Sequence, residues 1–306
     1  VERLSDDDLA VAKRFTDVFD FAYGRFLELE QKERQNRELA LENALERVRS
    51  HALAMQTTSD FPATAAAVFR EADHLDFELL SCAIGIVHEE ENRIDQWGAA
   101  RNLSEKHMQL IRDRYSVFDE DPTVVREHFA ISGLRQVHPY VERAFCVSPE
   151  QGEIAHVAAY MPATEMASWI DNMERLGIWD SEYAAAAPRY FPDEGTHIST
   201  FQFDYGYLWF YLTAPLESRQ IDEAKRFAEV FEFAYGRFLE LQSREQRAHQ
   251  SQLEAAAERI RGAAMDMRST HDLHRVVGVV RKQLLEFGFE EDRIASIQHH
   301  DPERDP

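Results

Sequence analysis

A long internal repeat constrains the fold of this 306-residue chain more than any other feature of its sequence. Residues 13–29 read KRFTDVFDFAYGRFLEL, and residues 225–241 read KRFAEVFEFAYGRFLEL. The two segments are 212 residues apart, and the alignment continues without a gap to Asp60 and Asp272. This period exceeds the roughly 20–50 residues of a solenoid unit, so the repeated unit is predicted to be a whole domain with its linker.

The repeat predicts four successive segments. We expect residues 1–56 to be the exit helix and linker of a preceding repeat, and residues 57–220 to be one complete domain. Residues 221–268 are then the exit helix and coiled-coil linker of that domain, and residues 269–306 the truncated start of a further repeat. On this interpretation the chain is a slice of a longer tandem-domain protein.

The repeated segment has the pattern of a long helix. No proline occurs between Ile221 and Met267, and apolar residues recur at spacings of three and four. A mostly polar helix is hard to stabilise alone, so we expect a parallel homodimer through these flanking helices. The expected seam residues are Phe227, Phe231, Phe238, Leu253 and Ile260. The alternative is a single long helix that packs on its own domain.

The segment between the repeats has a mixed pattern of helices and strands. The predicted elements are a helix at 61–75, a hairpin whose first strand is 79–88, a strand at 155–161, a helix at 163–176 and a hairpin at 197–213. In the last hairpin, Gly206 is expected to supply a turn residue with positive φ. This order predicts an α+β fold, with an antiparallel sheet flanked by helices and long helices at both ends.

This layout resembles a GAF domain, a small-molecule-binding sensor fold of bacterial signalling proteins. The resemblance rests on the hairpin that leads directly into the long helix, and on the linkers ALERVRSHALAMQ and AAERIRGAAMDM. These linkers look like the connectors before GAF-type units in multidomain histidine kinases of two-component systems. The resemblance implies a sensor and relay segment of such a protein, with an output domain of the same polypeptide outside this chain.

Composition excludes several other classes of protein. The chain has 34 basic and 56 acidic residues, giving a net charge of −22. Phosphate backbones and anionic membrane surfaces repel such a chain, so neither nucleic acid nor membrane is an expected partner. Two cysteines cannot form a disulfide framework, and no apolar run approaches the length of a membrane span. The expected location is the cytoplasm.

The sequence contains no recognisable catalytic or cofactor motif. The 13 histidines show no H-E-x-x-H or paired C-x-x-C spacing for a metal, and no haem signature occurs. Cys146 lacks the neighbouring histidine of bilin-binding GAF domains. Because no nucleophile–base pair with a recognisable spacing occurs either, we expect a non-catalytic segment whose cofactor, if any, is unknown.

Aromatic and cationic residues near the predicted sheet are the candidate ligand-binding groups. Large aromatic rings give apolar area, while a cation or histidine fixes the orientation of a ligand. The candidates are Trp97, Arg126, His128, His197, Phe203, Tyr205, Tyr207 and Trp209. The predicted function is a sensor that binds a small molecule and passes the change along the helices. The alternative is a ligand-free dimerisation and spacer module.

Overall fold

A computed structural model describes residues 6–57, 60–100, 115–117, 122–146, 153–177, 179, 181–186 and 194–290. The chain divides into two compact units between Phe238 and Leu239. The helices are α1 (Asp6–Leu53), α2 (Phe61–His74), α3 (Ile131–Leu134), α4 (Pro139–Cys146), α5 (Ala163–Arg175), α6 (Ser181–Ala186), α7 (Ser218–Met265) and α8 (Leu273–Glu286). The strands are β1 (Leu79–His88), β2 (Arg93–Ala100), β3 (Tyr115–Val117), β4 (Thr123–Ala130), β5 (Ala155–Pro162), β6 (Gly195–Phe203) and β7 (Gly206–Leu212).

The first unit is built on one antiparallel sheet of seven strands, in the order β3-β4-β2-β1-β7-β6-β5. The central strand β1 reads LLSCAIGIVH, and its middle residues are buried as expected for a strand covered on both faces. The predicted α+β class and the long helices at both ends are confirmed.

Both predicted hairpins are present, but the predicted role of Gly206 is wrong. Its φ is not positive, and it lies in β7 next to Gly85 of β1. A Cβ at Gly206 would lie 1.9 Å from the Gly85 carbonyl oxygen. Glycine is required here because β7 approaches β1 closely, and not because of the turn.

Helices cover both faces of the sheet. The first face carries Ile84, Trp97 and Leu208, which lie opposite one another in the strand register. It packs against aromatic side chains of α2 and α7, such as Phe61 and Phe231. The second face packs against α4 and α5 through a buried cluster that includes Ala83, Ile94, Tyr140, Trp169, Ile198, Tyr207 and Trp209.

The sequence repeat is also a structural repeat. Helix α7 begins and ends 212 residues after α1, and α8 begins and ends 212 residues after α2. The turn between each pair of helices is held in the same way. Asp60 accepts hydrogen bonds from the backbone of Gln56 and Thr57 at 2.9 Å, and Asp272 accepts from Arg268 and Ser269 at 2.9 and 3.0 Å.

The second unit contains the carboxy-terminal part of α7 together with α8. Val276 and Gln283 of α8 are its buried contacts, and Arg259 donates a hydrogen bond to the Gln283 side chain at 2.8 Å. Of residues 269–306, predicted to be the truncated start of a further repeat, residues 291–306 lie outside the described residues. No helix among the described residues is long and apolar enough to cross a bilayer.

Candidate functional site

A row of polar side chains crosses the second face of the sheet. Register places Glu127 of β4, Gln96 of β2, Gly85 of β1, Tyr207 of β7 and Gln202 of β6 side by side. Residues opposite one another on neighbouring strands share one face of a sheet. Polar groups in the middle of an otherwise apolar face are the usual orienting groups of a ligand site.

Three hydrogen bonds connect this row. The Tyr207 hydroxyl donates to Oε1 of Gln96 at 2.6 Å, and Nε2 of Gln96 donates to Oε2 of Glu127 at 3.2 Å. Nε1 of Trp179 donates to Oε1 of Glu127 at 3.1 Å. Trp179 follows α5 in the chain, so the network connects the sheet to the segment that covers it.

Gly85 makes room for this arrangement. The ring of Tyr207 lies over Gly85, and a Cβ at that position would come within 2.2 Å of the Tyr207 Cζ atom. The ring crosses β1 in this space, which allows the hydroxyl to reach Gln96 on the far side. A glycine inside a strand often marks such a close approach.

Aromatic rings surround Trp209 next to this row. The ring centroids of Tyr140, Trp169, Tyr207 and Tyr211 lie 5.6–5.8 Å from that of Trp209, the ordinary distance for aromatic pairs. The Tyr140 hydroxyl donates a hydrogen bond to the Val157 carbonyl, and it forms a second hydrogen bond with the Thr200 hydroxyl. The result is a rigid aromatic cluster between β7 and the helices.

Two buried polar atoms in this region have no hydrogen-bond partner among the described residues. They are the donor Nε1 of Trp209 and the acceptor Oε1 of Gln202. Both side chains are less than 9% exposed. A buried polar atom without a partner costs about 1–3 kcal/mol, so each of these atoms could accept a ligand group or an ordered water as its partner.

Burial raises the pKa of the tyrosines of this site, which are already protonated at neutral pH. Desolvation raises the pKa of Tyr207 well above its usual value, and the proximity of Tyr211 and of the Glu127 carboxylate raises it further. Burial likewise raises the pKa of Tyr211 and of Tyr140. Their hydroxyls therefore act as hydrogen-bond donors and not as bases.

The structure divides the predicted ligand-binding residues between the two faces of the sheet. Tyr207 and Trp209 lie on the second face, in the site described above. Trp97 lies on the first face, where its ring stacks on Phe61 with a centroid distance of 4.2 Å. The predicted pocket therefore does not bring Trp97 together with Tyr207 and Trp209.

Two further predicted residues, Phe203 and Tyr205, also pack against α7. The Phe203 ring lies 5.5 Å from Phe231, and the Tyr205 ring lies 5.2 Å from Tyr235. These contacts hold α7 on the first face of the sheet, so both residues serve packing in this structure.

The predicted polar residues lie away from the Trp209 cluster. Arg126 is exposed on β4, with its guanidinium 5.9 Å from the centroid of Trp97. His128 lies on the same strand, opposite Asp95 in the register. His197 lies 4.8 Å from the ring of Tyr160 and borders a surface pocket. The role of each predicted residue in ligand binding stays a prediction.

Sequence reasoning missed Gln96, Glu127 and Gln202. All three are ordinary polar residues in strands, where alternation alone assigns them to solvent. A usable signal was Gly85, which interrupts the apolar run LLSCAIGIVH and indicates a bulky neighbour. The identity of that neighbour, Tyr207, depends on strand register, which the sequence does not state.

No group of three or more His, Cys, Asp or Glu side chains in the described ranges is arranged to hold a metal ion. The comparisons with known proteins leave the family open. Neither a scan of protein-family models nor a search of curated proteins returned a match for this chain.

Proposed function

We propose that this chain is a GAF-like sensor and relay segment of a cytoplasmic bacterial signalling protein. Its ligand is a small molecule bound at the Trp209 cluster, and its output domain belongs to the same polypeptide. The proposal includes no catalytic step in this segment.

The observation that carries the proposal is the position of β7. This strand contributes Tyr207 and Trp209 to the site, and it is followed after residues 213–217 by α7, a helix of 48 residues. A change in the position of either ring therefore reaches α7 through a few residues of backbone. A ligand shifts the helix to the extent that it binds one arrangement better than the other, commonly about 1–3 kcal/mol for coupled sites.

The chemistry of the site suits a planar molecule with one hydrogen-bond acceptor and one donor. The acceptor would pair with Nε1 of Trp209 and the donor with Oε1 of Gln202, the two atoms without partners among the described residues. The aromatic rings would supply stacking faces for its apolar body.

A binding screen tests the proposal. Planar amides and purines are added to the protein while tryptophan fluorescence and the hydrogen exchange of α7 are recorded. A ligand of this site should slow exchange in α7, and Trp209→Phe should weaken binding about tenfold by removing the indole donor. Trp97→Phe on the opposite face is the matched control and should bind normally. Binding that leaves α7 unchanged would contradict the relay.

A ligand-free spacer is the second candidate, and the packing of the second face favours it. Met166, Trp169 and Ile170 of α5 are less than 7% exposed against this face. A face filled by its own side chains transmits the positions of its helices without a ligand. In that case the screen yields no ligand, while substitutions between α1 and α7 still alter the output.

A further inference from the structure

The first half of α1 exposes an apolar face that its repeat copy buries. Five side chains of α1 are more than half exposed, whereas their counterparts in α7 are less than 8% exposed. The pairs are Phe15 and Phe227, Val18 and Val230, Phe19 and Phe231, Tyr23 and Tyr235, and Phe26 and Phe238.

The sheet domain of this chain covers the copy in α7. The Phe61 ring lies 6.1 Å from Phe231, 5.7 Å from Tyr235 and 6.2 Å from Phe238. The ring centroid of Phe203 in β6 lies 5.5 Å from that of Phe231. The buried stripe of α7 is therefore complementary to a surface formed by α2 and the sheet.

The sequence of α1 preserves this complementarity. Residues 13–29 differ from residues 225–241 at three positions only, two of which exchange Asp for Glu. The third places Thr16 at the position of buried Ala228, and the Thr16 hydroxyl donates to the Ala12 carbonyl at 3.0 Å within the helix. A threonine with its hydroxyl satisfied in this way is compatible with a buried helix face.

One pair of residues defines the edge of the covered face. Phe21 of α1 is 78% exposed, and its counterpart Phe233 is 65% exposed although α7 lies on the sheet. The repeat thus distinguishes the side chains that a sheet domain covers from one that stays at the surface. Exposure of Phe15, Phe19, Tyr23 and Phe26 marks a missing neighbour, while exposure of Phe21 does not.

We propose that this face of α1 is the docking face for a second sheet domain of the same fold. The domain precedes α1 in the same polypeptide, and its last strand is joined to α1 as β7 is joined to α7. The proposal rests on the repeat and on burial, and it holds whether or not the Trp209 cluster binds a ligand.

The test compares the 306-residue chain with an extended chain. The extension is a second copy of residues 30–217 placed before Asp6, so that Glu217 precedes α1 as it precedes α7. In the extended chain, amides of α1 between residues 12 and 26 should exchange at least about tenfold more slowly. Phe19→Glu should remove this protection, and Phe21→Glu is the matched control that should leave it intact.

The behaviour of the 306-residue chain completes the test. Phe19→Glu should change the melting temperature of this chain by less than about 2 °C. The equivalent Phe231→Glu should lower the melting temperature by at least about 5 °C. Unchanged exchange of α1 in the extended chain would overturn the proposal. So would a dimer of the 306-residue chain that Phe19→Glu dissociates, because a second copy of α1 would then be the occupant.

Discussion

Arg37 of α1 binds Glu223 of α7 through two hydrogen bonds, from Nε at 2.9 Å and from Nη2 at 2.6 Å. The Glu223 side chain is 5% exposed, and Arg37 is its nearer charge partner, since Arg219 lies 3.8 Å from the same carboxylate. Nη2 also donates to the carbonyl of Leu75, at the end of α2. One guanidinium therefore connects the two long helices with the end of α2.

Removing Arg37 should destabilise the first unit strongly. Arg37→Met leaves the buried Glu223 carboxylate with only the exposed Arg219 at 3.8 Å, and breaking a buried ion pair costs about 3–5 kcal/mol. Arg226→Met is the control, since Arg226 pairs with the more exposed Glu38 and Glu42 and should cost less than about 1 kcal/mol. Urea unfolding followed by tryptophan fluorescence measures the free energy of unfolding of both variants. An equal loss of stability in the two variants would contradict the special role of Arg37.

A double substitution separates the charge from the packing. Replacing both partners, as in Arg37→Met with Glu223→Leu, should recover most of the lost stability, because no buried charge remains. If the double variant is as unstable as Arg37→Met alone, the bond from Arg37 to Leu75 and not the ion pair carries the effect.

The ring of Tyr207 over Gly85 gives a second prediction. Gly85→Ala places a methyl group where Tyr207 Cζ lies, so the ring must move and its hydrogen bond to Gln96 is lost. We expect the free energy of unfolding to fall by about 2–4 kcal/mol, by analogy with overpacked cores. Gly98→Ala on the neighbouring strand is the control, since its nearest atom is the Cys82 carbonyl oxygen at 4.0 Å. Thermal unfolding of both variants checks the prediction, which fails if Gly85→Ala melts like Gly98→Ala.

The sequence predicted several elements, but it did not predict β4 or α4, nor which face of the sheet each residue occupies. The repeat and the apolar periodicities were sufficient for α1, α2, α5, α7 and the two hairpins. Trp97 and Trp209 are both aromatic residues in strands, and they lie on opposite faces because of strand register, which depends on long-range pairing.

The apolar stripe of α7 also could not be assigned to one neighbour from the sequence alone. Its spacing indicates burial but does not state whether the covering surface belongs to the same chain or to a partner. Phe227, Phe231 and Phe238, expected at a dimer seam, are buried within this chain. This part of α7 packs on its own sheet domain, which was the alternative to a dimer seam. A dimer seam made from these three phenylalanines would require them to leave the core of the first unit.

Two histidines of the outer strands should make folding stability depend on pH. Burial lowers the pKa of His156, and the positive charge of Lys225 lowers it further. Burial also lowers the pKa of His197. As pH falls through about 6.5, the ordinary pKa of an unfolded histidine, the unfolded chain binds more protons than the folded chain. Stability should therefore decrease below this pH.

Substitution identifies the residue responsible. His156→Gln removes one of the titrating groups, so the free energy of unfolding should change less between pH 7 and pH 5 than in the unsubstituted chain. His51→Gln, at an exposed position of α1, serves as the control substitution. A pH dependence that His156→Gln leaves intact would show that the acidic groups dominate this range.

The homodimer stays a prediction, and the structure indicates which residue should form its seam. Phe233 is 65% exposed on α7, although Phe231 and Tyr235 on either side of it are buried. An aromatic ring that stays at the surface of a helix, on the side away from its own sheet, suits contact with the same helix of a second chain.

Phe233→Glu should therefore shift the protein from dimer to monomer in light scattering at tens of micromolar, with its melting temperature changed little beyond the loss of association. Phe231→Glu should instead lower the melting temperature of the first unit, since that side chain is 2% exposed. A dimer that survives Phe233→Glu would place the seam elsewhere on the long helices.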